Sequence, residues 1–109
     1  MPIQGNLFAD VPETLPEEEF KTLWQRPDLK IERIVSRGHA TPEGEWYDRE
    51  QDEWVVLLSG EAVLRIEGQE ELHTMQAGDW LLLPAHCRHR VERTDARQAC
   101  VWLAVHVDP

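Results

Sequence analysis

Apolar and polar residues alternate with a period of two from Leu29 onward, which is the spacing of strands that bury one face. Glycines at several points along this pattern permit tight turns between strands. We therefore predict an all-β domain of short strands, with hairpins joining 45–48 to 53–58 and 61–67 to 70–75. The predicted strands cover residues 29–36, 45–48, 53–58, 61–67, 70–75, 80–83, 88–93 and 99–107.

The first 28 residues follow a different pattern, which predicts a short helix. Thr14 is followed by a proline and by three consecutive glutamates. A hydroxyl that caps a helix and carboxylates near its positive end are typical of a helix start. Pro27 disfavours helical geometry in the residue before it and should end this helix. We expect residues 1–28 to form an arm and a helix that pack on a barrel built from residues 29–109.

Two predicted strands are apolar at consecutive positions instead of alternating ones. These segments are Trp80 to Leu83 and Val101 to Val105. A strand with two apolar faces is buried on both of them, so each segment should lie between the core and a second surface. A homodimer interface is the simplest second surface, and we expect the protein to be a homodimer.

The overall charge narrows the range of partners. The 109 residues carry a formal net charge of -10, which opposes binding to nucleic acid or to an anionic membrane surface.

No apolar run reaches the roughly 20 residues that a membrane-spanning helix needs. The first ten residues have no basic or apolar signal region, and we expect a cytoplasmic protein. Cys87 and Cys100 lack a metal or redox spacing and are expected to be free thiols.

Two motifs in the second half of the chain resemble those of the cupin family. Glu53 and Gly60 have the spacing of the end of the first cupin motif, and the pair of histidines that precedes that glutamate in the family is missing. The second motif is matched by Gly78, Pro84 and His89, with a histidine at a position where glycine is usual. The resemblance implies a double-stranded β-helix, or jelly-roll, cupin barrel, and the short N-terminal helix predicted above would precede it.

The resemblance also implies a candidate metal site. Counting four residues back from Glu53 puts Trp46 and Asp48 at the paired-histidine positions. The set that corresponds to the family's ligands is then Asp48, Glu53 and His89, a chemically sensible site for a manganese, iron or zinc ion. His39 and His86 are possible additional ligands. Alternatively, Glu53 is solvated and His89 is a hydrogen-bonded interior residue of a barrel that binds no metal.

Arg33 and Tyr47 are the candidate residues for binding a substrate. Arg33 lies on the apolar face of strand 29–36, so we expect its guanidinium inside the barrel, paired with a carboxylate such as Glu53 or with an anionic ligand. Tyr47 could donate a hydrogen bond to the same ligand.

Two functions remain open from the sequence. One is a metal-dependent oxygenase, isomerase or lyase that acts on a small polar or carboxylated molecule. The other is a non-catalytic barrel that binds or senses a small molecule without metal.

Overall fold

The computed structural model describes all 109 residues and contains eight β-strands and no helix. The structure therefore has no helix that is long and apolar enough to cross a lipid bilayer. The strands are β1 Glu19–Arg26, β2 Leu29–Ser36, β3 Asp52–Ser59, β4 Glu61–Ile66, β5 His73–Gln76, β6 Trp80–Leu83, β7 His89–Thr94 and β8 Cys100–Val107. The predicted all-β class is confirmed, and β2 and β6 have the predicted bounds.

The strands form two antiparallel sheets. The five-stranded sheet has the order β1-β2-β8-β3-β6, and the three-stranded sheet has the order β5-β4-β7. The apolar residues that face inward from both sheets make one core between them. Its nine buried members are Val55, Leu57, Ala62, Leu64, Met75, Leu83, Cys100, Trp102 and Ala104. We call the space between the two sheets the lumen.

The predicted N-terminal helix is wrong. Residues Glu19–Arg26 form strand β1, and Arg26 pairs with Leu29 so that Pro27 and Asp28 make a two-residue hairpin turn. Proline presets the backbone angle that the first central residue of such a turn requires, and aspartate is also favoured in turns. Because β2 presents an open edge to this segment, the hydrogen bonds of the β1–β2 ladder outweigh the weak helical preference of the sequence.

The predicted strand over residues 45–48 and its hairpin with β3 are also not present. Tyr47 instead forms a single antiparallel bridge with His89, at the start of β7 in the other sheet. The predicted pairing of β4 with β5 is confirmed, with Leu64 opposite His73.

The outer face of the five-stranded sheet carries an exposed apolar patch. Trp80 and Leu82 of β6 are 59% and 57% exposed, while the alternate residues Leu81 and Leu83 face the core. Trp54 of β3 lies opposite Leu82, and its ring centroid is 6.0 Å from that of Trp80. The strand is therefore apolar on both faces, as the sequence indicated, with one of those faces uncovered in a single chain.

The chain crosses between the sheets at Gly60, which connects β3 to β4. Its φ is +81°, and a Cβ placed there would lie 2.6 Å from Cys100 Sγ and 3.2 Å from Cys100 Cα. Gly68 has a similar φ of +87° but has open space around it. The two glycines therefore separate the effect of backbone conformation from that of close packing.

We predict that Gly60→Ala destabilises the fold more than Gly68→Ala. The second substitution should cost about 1 kcal/mol, because it adds only the strain of a side chain at positive φ. The first should cost about 3 kcal/mol, because the chain must also move away from Cys100. Urea unfolding of both variants measures the difference, and equal losses of stability would contradict it.

Candidate functional site

A pocket opens into the lumen at the end where β3 begins and β7 begins. Its floor and walls are mostly apolar, and about 50 Å³ of it can be reached by the centre of a water molecule. This inner part accommodates a few waters or one small organic group, and because the pocket is open to solvent on one side, the rest of a larger molecule can extend outward. The polar residues that line it are Glu18, Tyr47, Arg49, Glu53 and His89; the apolar ones include Ile34, Val55, Leu64, Leu83, Val91 and Trp102.

Glu53 points into this pocket because of the alternation along β3. Val55 and Leu57 face the core, so Glu53, two residues earlier, faces the same way at the mouth of the lumen. The side chain is buried, and its Oε1 atom has no hydrogen-bond partner. A buried carboxylate oxygen without a partner is costly, so this atom is available to bind something that enters the pocket.

His89 faces Glu53 from the other sheet. Its Nδ1 lies 2.9 Å from the carbonyl oxygen of Cys87. A carbonyl only accepts hydrogen bonds, so Nδ1 is a donor here, and Nε2 is the ring nitrogen that faces the pocket. That Nε2 is 3.6 Å from Glu53 Oε1, too far for a direct hydrogen bond. A carboxylate oxygen and an imidazole nitrogen, neither of them hydrogen-bonded within the protein, therefore face each other across a gap.

Tyr47 lies beside His89 and shares the pocket with it. The two rings are stacked with their centroids 5.4 Å apart, as a consequence of the backbone bridge between these residues. Burial raises the pKa of Tyr47, and the nearby negative charges of Glu18 and Glu53 raise it further against the opposing effect of Arg49. The phenol consequently keeps its proton at neutral pH and remains a hydrogen-bond donor.

Arg49 is a pocket residue that the sequence reasoning missed. The first cupin motif allows three or four residues between its histidine pair and its glutamate. A count of four points to Trp46 and Asp48, whereas the residues that line the pocket are Tyr47 and Arg49, which fit a count of three before Glu53. The shorter of the two allowed spacings was therefore the sequence signal that could have identified Arg49.

Asp48 and His86 lie together, but outside the pocket lining. Their side chains are 47% and 67% exposed, and Asp48 Oδ1 is 2.9 Å from His86 Nδ1. His86 has a φ of +62°, which explains why its position in the motif usually holds glycine. Its amide N–H also donates to the carbonyl of Arg49 at 2.7 Å. These contacts fasten the loop that carries Tyr47 and Arg49 to the turn before β7.

The expectation that Arg33 points into the lumen is wrong. Arg33 is buried on the outer face of β2, where it donates to Glu19 Oε1 at 2.7 Å and to backbone carbonyls within residues 7–10. The neighbouring Ile34 lies opposite Trp102 and faces the lumen, so Arg33 must face outward. Its partner is Glu19 instead of Glu53, and it fastens the N-terminal arm.

His39 is also outside the pocket lining. Its Nδ1 accepts a hydrogen bond from the amide of Arg37 at 2.9 Å, and its carbonyl accepts one from the hydroxyl of Thr94 at 2.6 Å. The residue stabilises the loop after β2.

The donor set of the pocket does not fit a resident transition metal. Of the proposed ligands, only Glu53 and His89 meet, and no group of three or more histidine, cysteine, aspartate or glutamate residues comes together. Catalytic zinc and non-haem iron sites use three protein ligands. The guanidinium of Arg49 in the same pocket would in addition repel a divalent cation.

The chain matches a known protein family and resembles solved structures. The sequence model of the family described as Cupin domain matches residues 34–106. A crystal structure from Ralstonia eutropha JMP134, described as a "putative mannose-6-phosphate isomerase", is 56% identical, with a TM-score of 0.97 over 99% of this chain and 100% of that one.

More distant relatives resemble the chain in sequence or in fold. A 3-hydroxyanthranilate 3,4-dioxygenase from Burkholderia lata is 32% identical over 81 residues, which are 72% of this chain and 45% of the relative. The chain thus spans less than half the length of this curated relative. An RmlC-like cupin from Methanocaldococcus jannaschii has a TM-score of 0.69 at 18% identity over 91% of this chain and 87% of that one, a likeness of fold alone.

A second carboxylate, Glu32, is buried in the barrel with a different environment. His106 Nε2 donates to Glu32 Oε1 at 2.9 Å, and Lys30 Nζ lies 3.5 Å from Oε2. Burial raises the pKa of Glu32, but the hydrogen bond from His106 and the charges of Lys30, His106 and Arg49 together outweigh it. The net pKa lies below the ordinary value of 4.5.

We predict that Glu32 stabilises the fold at neutral pH and loses this effect in acid. Because the folded pKa is below the unfolded one, the contribution is complete above about pH 4.5 and disappears as the pH falls through the folded value. Glu32→Gln should cost about 2 kcal/mol at neutral pH, and its deficit relative to wild type should shrink in acid. Urea unfolding across this pH range measures it.

The matched control for this prediction is Glu67→Gln. Glu67 is paired with Arg88 at 3.0 Å, but both side chains are more than two-fifths exposed. Such a pair contributes about 0.5 kcal/mol or less. A deficit of Glu32→Gln that stays constant with pH, or that matches the control, would contradict the prediction.

Proposed function

Because the chain belongs to the cupin family, whose domain matches residues 34–106, we propose that its lumen pocket binds a small polar molecule and moves a proton on it. The single observation that carries this proposal is the unpartnered Glu53 Oε1 that faces His89 Nε2 at 3.6 Å. Carboxylate and imidazole groups are the usual general acids and bases of enzymes.

The ligand must bring a hydrogen-bond donor to this pair. Glu53 Oε1 is an acceptor that no donor of the protein reaches, and His89 Nε2 makes no hydrogen bond within the protein. A hydroxyl or amino group seated there would satisfy a buried carboxylate that otherwise has no partner. The neighbouring phenol of Tyr47 can donate to an oxygen of the same molecule. The pocket is thus suited to a hydroxylated or amino-substituted compound.

The name of one relative supports a proton-transfer reaction of this kind. The R. eutropha protein, which is matched over its full length, carries the name of an isomerase for a sugar phosphate. Interconversion of an aldose and a ketose removes the proton from C2, returns a proton at C1 and shifts one proton between the two oxygens. A base and an acid on the protein suffice for that balance, and Glu53 and His89 are positioned to provide them.

A metal-dependent oxygenase is the second candidate. It is supported by the partial match to 3-hydroxyanthranilate 3,4-dioxygenase and by the facing donors Glu53 and His89. We place it second because the pocket has only these two ligands, without Asp48, and includes the positive charge of Arg49. Manganese, iron and zinc all remain distinguishable by elemental analysis.

We predict that protein purified without chelator holds far less than one equivalent of metal and exchanges deuterium from D2O into mannose 6-phosphate. Glu53→Gln and His89→Gln should each slow the exchange by about a hundredfold or more, because each removes one proton-transfer group. Elemental analysis and NMR measure the two quantities. His73→Gln, a change on β5 outside the pocket lining, is the control and should leave exchange unchanged.

Two outcomes would contradict the proposal. One equivalent of metal that both pocket variants lose while remaining folded would favour the oxygenase candidate. Exchange that proceeds equally in wild type and in both variants would show that Glu53 and His89 do not move the proton.

We further propose that the chain forms a homodimer through the outer patch of Trp54, Trp80 and Leu82. More than half of the surface of Trp80 and of Leu82 is exposed, and aromatic residues are enriched in interfaces. Covering the patch with the same patch of a second copy removes all three side chains from water in both chains.

We predict that Leu82→Lys converts the dimer into a monomer, because it places two charges in a self-complementary apolar contact. Light scattering coupled to gel filtration measures the mass. Leu72→Lys is the control, since Leu72 is 45% exposed outside this patch and should leave the dimer intact. A wild-type monomer, or a dimer that survives Leu82→Lys, would contradict the prediction.

A further inference from the structure

Arg49 is the one arginine among the residues that line the pocket. Its guanidinium donates to no hydrogen-bond acceptor within the protein. It makes no ion pair and donates no side-chain hydrogen bond, and its Nε is buried without a partner. The buried Arg33 offers a contrast, because it donates to Glu19 and to backbone carbonyls. Arg90 likewise donates to three carbonyls of the loop at residues 41–45. Arg49 is therefore a positive charge whose N–H groups have no hydrogen-bond or ion-pair partner in the protein.

The surroundings of Arg49 orient it without satisfying it. Its Cζ lies 5.1 Å from the centroid of the Tyr47 ring, a cation–π contact that leaves the N–H groups at the edge of the guanidinium free. Glu18 lines the same pocket, but its Oε2 accepts a hydrogen bond from the hydroxyl of Ser36 at 2.7 Å, and it forms no ion pair with Arg49. The donors of Arg49 thus remain available to a ligand.

We propose that Arg49 binds an oxyanion, a carboxylate or phosphate, of the molecule whose hydroxyl or amino group Glu53 and His89 hold. This inference rests on the proposed function, since it assigns the chemical class of that ligand. A guanidinium stays protonated and presents paired donors that match the two oxygens of such a group. The pocket then selects a small hydroxy- or amino-substituted acid, or a phosphate ester. Arg49 binds the oxyanion of this ligand, and Glu53 and His89 bind its hydroxyl or amino group.

Two pairs of compounds isolate the oxyanion. Mannose 6-phosphate and mannose differ by the phosphate, and 3-hydroxyanthranilate and 2-aminophenol differ by the carboxylate. In calorimetric titrations the wild type should bind the charged member of at least one pair about tenfold or more tightly than the neutral one. The pair that shows the preference identifies the oxyanion as phosphate or carboxylate.

Variants assign that preference to Arg49. Arg49→Gln should remove it, and Arg49→Lys should restore part of it, since lysine keeps the charge without the planar pair of donors. Arg93→Gln is the matched control, because it removes one positive charge from a side chain that is 69% exposed and outside the pocket lining. Circular dichroism verifies that each variant is folded.

Glu53→Gln separates this inference from the proposed function. It should abolish proton transfer but keep the preference for the charged compound, because the Arg49 site does not include Glu53. The inference is overturned if Arg49→Gln retains the preference, if Arg93→Gln loses it to the same extent, or if the wild type prefers neither charged compound.

Discussion

The pocket depends on a backbone bridge between two residues that are 42 positions apart, Tyr47 and His89. The amide of Tyr47 donates to the carbonyl of His89 at 2.7 Å, and the reciprocal bond is 3.1 Å long. This bridge fastens the loop before β3 to the first residue of β7, in the opposite sheet. The contact between Asp48 and His86 reinforces it at the surface. Groups carried by the two sheets consequently face each other at a defined distance, which is the requirement for chemistry between them.

Two buried carboxylates in this barrel show how burial separates structural from functional roles. Glu32 is hydrogen-bonded to His106 and lies near Lys30, so its charge is compensated within the fold. Glu53 is buried to a similar degree but has an oxygen with no partner. In a medium where an uncompensated charge is expensive, the first residue stabilises the barrel and the second is left for a ligand. The arginines show the same contrast, because Arg33 is paired with Glu19 within the fold and Arg49 has no hydrogen-bond partner there.

The sequence motifs located part of the site because their residues have local requirements. Glu53 and His89 could be found from their spacing to the glycine and proline turns that end and begin their strands. The register of the loop before Glu53 could not be found in this way, because the motif permits either three or four intervening residues. Only the bridge to His89 places Tyr47 and Arg49 inward and Asp48 outward. A one-residue change in that count exchanges the two faces of the loop.

Local sequence patterns suffice to predict the all-β class and the bounds of strands such as β2, because alternation and turn-forming glycines are local properties of the chain. The tertiary structure decided which face of β2 is inside, since Ile34 is lumenal only through its pairing with Trp102. It also decided that residues Glu19–Arg26 form a strand, because the open edge of β2 supplies hydrogen bonds that no local pattern records. Backbone periodicity encodes two faces, and only the neighbouring strands establish which of them is buried.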